Sequence, residues 1–387
     1  MKKVAVFGAS GFAGTAVVER LLKNKDIEVV AVIHSDGNAW RLSRRKDLTL
    51  RQVDITVPQQ TKEAMTGITH VVNCTRGSDE VMLKGLEILL HEAKQAGVEH
   101  FVHISSILIY GDRPAPASVH DTAPPDPQGN SYGVLKLKQD NMVQKAAKNG
   151  LPATIICPPN IIGPYSLFLN GLVNMIKNDQ FGLLGDGRHA CATVDVDNLA
   201  KAIDLALFNA AGDGSRYFVT DNYDATWAEL TDYLLHLTDK PGLITIDQQD
   251  IESHIKPPKV SYNPLKSLKH LVSSDVREAL RKDPLLCKVD VFFRGLVAKL
   301  PGNMEDRVRL GIEGPMKIPK VSSAPPINWQ FCSAQMRGVF HSCERLQQEL
   351  GYTPDHTFTE SMNAYVNWYK AMRGYDTEFA DLLKRLP

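Results

Sequence analysis

Gly8, Gly11 and Gly14 stand three residues apart, directly after the β-branched run Val4–Phe7 and at the head of an amphipathic stretch, Gly14–Lys23. Glycine permits a tight turn out of a strand, lets a backbone approach a pyrophosphate, and lets the following helix pack close to the strand. The unpaired N–H groups that open the helix then face the phosphates. A lone glycine triplet says little, but a strand before it and a helix after it supply the context of a dinucleotide-binding turn. Gly8, Ser10, Gly11, Phe12 and Gly14 are therefore the candidate phosphate-cradling positions.

The pattern continues downstream. Ile27–Ile33, Leu50–Val53, Val71–Asn73, Phe101–Ser105 and Ala153–Ile156 read as strands, and Glu80–Gln95 and Tyr132–Asn149 as the longest helices between them. Such alternation implies an α/β fold with a doubly wound parallel sheet, whose ligands bind beyond the carboxyl ends of the strands. Past Pro158 the periodicity weakens, although 193–206 and 216–220 still read as elements of the sheet. Residues 1–165, with 190–222 returning to them, are expected to form the dinucleotide-binding domain. Residues 166–189 and 223–387 are expected to form a substrate-binding region. Within it, 256–320 is basic and proline-interrupted, and reads as irregular structure with short helices, either a lid or a surface insertion.

Bulk properties narrow the partners. Formal net charge is zero, which gives no reason to expect nucleic acid or an anionic membrane surface. No apolar run approaches the roughly 20 residues of a membrane span. The first strand starts within three residues of the N-terminus, leaving no room for a signal peptide. Six scattered cysteines show no Cys-x-x-Cys spacing, and the histidines form no ligand pattern, so neither a disulfide framework nor a metal site is expected. The expectation is a cytoplasmic protein acting on a small molecule.

The segments that follow each strand carry the chemistry. After the second come His34 and Asp36, then Arg41, Arg44 and Arg45; an acidic residue there favours NAD and an arginine NADP, so the choice stays open. Asp54 and Ile55 follow the third strand, and Asp54 could bond an adenine amino group. Ser105 and Ser106 stand at the carboxyl end of the fifth, where a hydroxyl can hold a substrate oxygen. Tyr132 and Lys136 come about two dozen residues later, at i and i+4 on one helix face. A nearby ammonium favours the phenolate, and is expected to lower the tyrosine pKa from its ordinary value near ~10.

Together these motifs resemble the extended short-chain dehydrogenase/reductase superfamily, in particular the NAD-dependent epimerase/dehydratase group. The matching features are Gly8/Gly11/Gly14, Asp54-Ile55, Ser105-Ser106 with Tyr110-Gly111, Tyr132 with Lys136, Pro158-Pro159-Asn160-Ile161-Ile162-Gly163-Pro164, and the run 194–200. The likeness covers roughly 1–240 well and 340–370 loosely. It implies a Rossmann-type fold, an NAD(P) cofactor, and a reaction in which Tyr132 acts as general acid/base. Lys136 would be its partner and a contact of the nicotinamide ribose, and Ser106 would orient the substrate. Pro159 and Ile161 would lie beside the nicotinamide, with Asn160 facing the substrate. Two departures stand near the cofactor: Cys157 replaces an arginine common before the Pro-Pro-Asn segment, and Asn73-Cys74-Thr75-Arg76-Gly77 replaces a small hydrophobic-Ala-Ala run.

For substrate, Asn170 resembles an asparagine that nucleotide-sugar enzymes direct at a diphosphate, with helix capping as its ordinary alternative. Arg188, in Gly185-Asp186-Gly187-Arg188, sits where relatives touch substrate or simply turn at the surface. The expected activity is an epimerase or oxidoreductase working on a nucleotide-sugar-like alcohol or ketone. The alternatives are a 3β-hydroxysteroid dehydrogenase/dihydroflavonol-reductase-like reductase and a non-catalytic dinucleotide-binding module. Ile107-Leu108 after Ser106, where a dehydratase carries an acidic pair, argues against dehydration. The resemblance also implies a possible homodimer through the Tyr132 helix, with Ala146 and Ala147 on its apolar stripe.

Overall fold

The computed structural model describes residues 2–35, 39–43, 45, 47–128, 130–255 and 327–384. Residues 1–254 and 326–387 form one compact unit and 255–325 a second. Asp36, Arg44 and the 256–320 insertion lie outside the described residues.

The first unit is built on a seven-stranded sheet. Its strands are β1 (Lys2–Phe7), β2 (Ile27–Ile33), β3 (Thr49–Gln52), β4 (His70–Asn73), β5 (His100–Ile104), β6 (Ala153–Cys157) and, further along, Asp213–Phe218. All pair in parallel. The strand order, from the edge formed by 213–218, is β6, β5, β4, β1, β2, β3. The chain thus moves outward from β1 through β2 to β3, then returns to start again at β4 on the other side. The crevice between β1 and β4 is the switch point at which such sheets hold ligands.

Burial on both faces explains why these strands are apolar throughout rather than alternating. Val4 and Val6 enter a core shared with α1 (Phe12–Leu21), while Ala5 and Phe7 enter the opposite core. That opposite face is covered by α2 (Pro58–Ala64), α3 (Leu86–Gln95) and α4 (Ser131–Lys148). The stretch expected as one helix over 80–95 opens instead with a π-helical turn, Val81–Gly85, before α3 begins. Ile55 crowds Gly85 there: a Cβ on that glycine would sit 2.7 Å from the Ile55 side chain.

Beyond β6 come β7 (Asn160–Ile162), α5 (Leu167–Lys177), β8 (Gly182–Leu184), β9 (Thr193–Asp195) and α6 (Val196–Asn209), followed by the edge strand β10 (Asp213–Phe218). Next are α7 (Trp227–Leu235), β11 (Ile244–Ile246) and α8 (Gln248–His254), then α9 (Trp329–Cys332), α10 (Glu344–Leu350) and α11 (Phe358–Lys384). β7 pairs with β9 and β8 with β11 in small separate sheets. α6 joins α1 on the first face, with Leu346, Leu350 and Tyr352 completing that core. Asn198 of α6 ties the late segment down. Its amide donates to Asp221 and to the His356 carbonyl (2.8 and 2.7 Å), and its oxygen accepts from the Asp355 and His356 N–H groups (2.7 and 3.0 Å).

Candidate active site

Gly8 leaves β1 with φ +75°, and both its N–H and that of Ala9 donate to the Val32 carbonyl at 3.1 Å. A Cβ at Gly8 would meet the Cys74 carbonyl at 2.8 Å, and one at Gly14 would meet the Gly8 oxygen at 2.2 Å. Only glycine fits either place. No side chain caps α1, so its first N–H groups remain available at the mouth of the turn. A cavity of about 400 Å³ opens there, lined at the carboxyl ends of four strands by Phe7, Gly8, Ser10 and Gly11, Val32 to Ser35, Val53 to Ile55, and Cys74 to Gly77. A backbone cradle that side chains would fill, at a helix N-terminus and a switch point, fits a dinucleotide.

This cavity collects Gly8, Ser10, Gly11, His34, Asp54, Ile55 and Cys74 from the positions expected for the cofactor. Phe12 packs on the core and Gly14 supports the turn from behind. The Asp54 carboxylate accepts from the Thr56 N–H and hydroxyl (2.9 and 2.7 Å), which holds it below the usual carboxylate range. Burial pushes the Cys74 thiol up to about 12, so it stays protonated. Arg41 lies over the Tyr165 ring at 4.3 Å and pairs with Glu19 at 3.5 Å, while Arg45 pairs with Asp47 at 2.9 Å; neither lines the cavity.

The residues expected to react lie on two elements that pack at the end of β5, the turn after that strand and the first turns of α4. Ser106 is extended, and its Oγ accepts from the Leu108 N–H at 3.2 Å, opening a short helical turn over Ile107–Tyr110. The first turn of α4 rests on this one. Its N-cap Asn130 accepts from the Gly133 N–H at 2.8 Å, and a Cβ on Gly133 would lie 2.1 Å from the Leu108 oxygen. Glycine at 133 therefore lets the turn of α4 that carries Tyr132 pack directly on the turn that Ser106 opens. One turn further on, Lys136 is buried and its ammonium donates to the carbonyl of Ile104, the last residue of β5, at 2.8 Å.

The electrostatics correct one expectation. The Tyr132 phenol is not lowered: burial raises it above its ordinary value, and Arg76 opposes the rise. Lys136 stands 5.9 Å from the centre of the Tyr132 ring. Its own pKa is lowered to about 8, chiefly by burial, with Asp140 working the other way. Asp140, one turn beyond on α4, is fully buried and accepts from Arg216 Nε at 2.7 Å.

The remaining expected contacts scatter. Pro159 is buried beside β6, and Ile161 packs against the first core. The Asn160 amide donates to the Ala192 carbonyl at 3.1 Å, tying β7 to the neighbouring segment. Asn170 sits inside α5 and accepts from the Tyr365 hydroxyl at 2.9 Å; the cap of that helix is Ser166, not Asn170. Arg188 is 86% exposed in a turn and pairs with its near neighbour Asp186 at 2.8 Å. Ala146 and Ala147 lie half-buried against the core, which leaves Lys138, Asn141, Lys145 and Lys148 as the exposed row of α4. Among the described residues no helix is long and apolar enough to cross a membrane.

Arg76, Thr75, Gly77 and Val81 line the cavity without having been singled out as contacts. The signal was present, because they follow the strand beside the switch point in a segment that departs from the usual small residues.

Known proteins agree with this architecture. The model of the NAD dependent epimerase/dehydratase family matches residues 4–219. UDP-glucose 4-epimerase of Vibrio cholerae is 24% identical over 263 residues, covering 62% of this chain and 77% of that protein. Sterol demethylase protein B of Methylococcus capsulatus is 27% identical over 254 residues, covering 61% and 74%. Among solved structures, UDP-glucuronic acid 4-epimerase from Bacillus cereus in complex with NAD superposes with a TM-score of 0.63 at 17% identity, over 96% of this chain and 99% of that one. A match across more than half the chain, ending at the close of the sheet, makes this protein a member of the NAD-dependent epimerase/dehydratase family, an enzyme of the extended short-chain dehydrogenase/reductase type.

Proposed function

We propose that the protein moves hydride between NAD and a secondary alcohol or ketone on a nucleotide-sugar-like substrate. The observation that supports this reading is the seating of Gly133 on Leu108, which packs the helical turn carrying Tyr132 against the turn that Ser106 opens, with Lys136 held to the Ile104 carbonyl. Tyr132 would exchange a proton with the substrate oxygen while the Ser106 hydroxyl holds that oxygen in place. Lys136, fixed by the Ile104 carbonyl, would present its remaining N–H groups to the nicotinamide ribose. The glycine turn and the first turn of α1 would hold the pyrophosphate, His34 and Ser35 the adenosine ribose, and Asp54 and Ile55 the adenine. A bound nicotinamide supplies the hydride acceptor. NAD is preferred over NADP because Arg41 and Arg45 are engaged elsewhere.

Tyr132→Phe should lower turnover ~10²–10⁴-fold, the range for losing a general acid/base, with an unchanged circular dichroism spectrum. Near-native turnover in that variant would remove the assignment.

A second reading, reduction of a bulkier apolar ketone, is supported by the similarity to sterol demethylase protein B and by the engagement of Asn170 with Tyr365. Purified protein that releases NAD only on denaturation favours the epimerase, which regenerates its cofactor within each cycle. Freely exchanging cofactor, with NAD(P)H consumed against added ketones, favours the reductase. A homodimer through α4 would have to use its polar exposed row, and a solution mass of twice 42.8 kDa would support it.

A further inference from the structure

The segment after β4 brings an arginine to the reacting tyrosine. Thr75 is fixed there by its N–H and hydroxyl, which donate to the Asn73 side chain at 3.1 and 2.7 Å. Arg76 follows on the cavity wall, with its guanidinium carbon 5.5 Å from the centre of the Tyr132 ring. Among the described residues this guanidinium has no carboxylate partner. The Lys136 ammonium is no closer, at 5.9 Å, and gives a hydrogen bond to Ile104. Two cations thus face one phenol, one tied to a backbone carbonyl and one without an ion-pair partner among the described residues. They also differ in kind: an arginine keeps its charge at any working pH, whereas a buried lysine gives up its proton more readily.

We infer that Arg76 is the electrostatic partner of Tyr132, a positioning residue whose permanent charge favours the phenolate and so sets the pH at which Tyr132 accepts the substrate proton. The inference rests on the acid/base role proposed above for Tyr132. The charged and titratable groups around the couple are Arg76 and Cys74 from the segment after β4, His103 from β5, which burial holds neutral, Cys157 from β6, and Lys136 and Asp140 from α4. Cys74 and Cys157 are held as neutral thiols by burial, and Asp140 is neutralised by Arg216. That leaves Arg76 as the group whose removal changes the field at the phenol without opening the core, since its side chain lies at the surface of the cleft.

The test is a pH titration of protein carrying 13C at the tyrosine ζ carbon, with the Tyr132 signal assigned by its loss in Tyr132→Phe. In Arg76→Ala the Tyr132 midpoint should move up by about one pH unit, and in Arg76→Lys by less, as expected for a partly screened charge at this distance. The acid limb of the turnover profile should move with it, lowering turnover ~10-fold at a fixed pH on that limb. An unchanged Tyr132 midpoint in Arg76→Ala would overturn the inference, including the case in which only cofactor affinity weakens, which would make Arg76 a cofactor contact. Near-native turnover of Tyr132→Phe would instead overturn the acid/base reading, and the titration would still decide the pairing with Arg76.

Discussion

His341 donates from Nδ1 to the Ser118 carbonyl at 2.9 Å and stands 4.7 Å, centroid to centroid, from the Phe218 ring. Burial lowers its pKa to about 4, so the folded protein holds it neutral well below the pH at which the unfolded chain would protonate it. The sign follows from linkage. Its contribution to stability is complete above about 6.5, the ordinary value, and is lost as pH falls toward 4, up to about 3 kcal/mol. Urea midpoints measured from pH 7 down to 4.5 should therefore fall less steeply in His341→Gln, whose amide can still donate to Ser118; parallel slopes would contradict this. Sequence pattern could not have distinguished this histidine from an exposed one. It did put Tyr132 and Lys136 on one face of one helix, because i and i+4 share a face whatever surrounds them. Their charges were not legible in the same way, since the Ile104 carbonyl that accepts Lys136 lies 32 positions away.

At the scale of elements, the contact between α4 and the turn after β5 is the one on which the proposed chemistry depends. Gly133→Ala puts a methyl group 2.1 Å from the Leu108 oxygen, so the helix must lift or the turn must shift. Overpacking of this kind costs ~1–3 kcal/mol. The expected signature is a modest drop in the urea midpoint with a much larger loss of turnover, because Tyr132 and Ser106 ride on the two elements that separate. Equal turnover in the variant would show that their spacing is not set there. Strands and helices themselves were largely legible: β2 was expected at its observed limits, and α4 within a residue, because apolar runs and amphipathic stretches follow directly from burial. The π-helical turn before α3 was not; it ends at Gly85, which packs against Ile55, a contact 30 residues apart in sequence.

For the molecule as a whole, the switch-point crevice was predictable because strand–helix alternation leaves little freedom in how a parallel sheet is wound. What alternation cannot reveal is that residues 326–387 belong to the same compact unit as residues 1–254. Asn198 marks that junction, with donors and acceptor all engaged by Asp221, Asp355 and His356. Asn198→Ala should destabilise the protein by ~1–3 kcal/mol, the cost of leaving buried partners unsatisfied, as read from chemical denaturation; a change within experimental error would argue against the junction. The same junction has a consequence in time. A chain emerging from the ribosome presents the whole sheet more than a hundred residues before Leu346, Leu350 and Tyr352, which close one of its cores. Synthesis order and assembly order therefore diverge: the sheet emerges with the α6 flank of that core uncovered, and a stretch translated much later seals it.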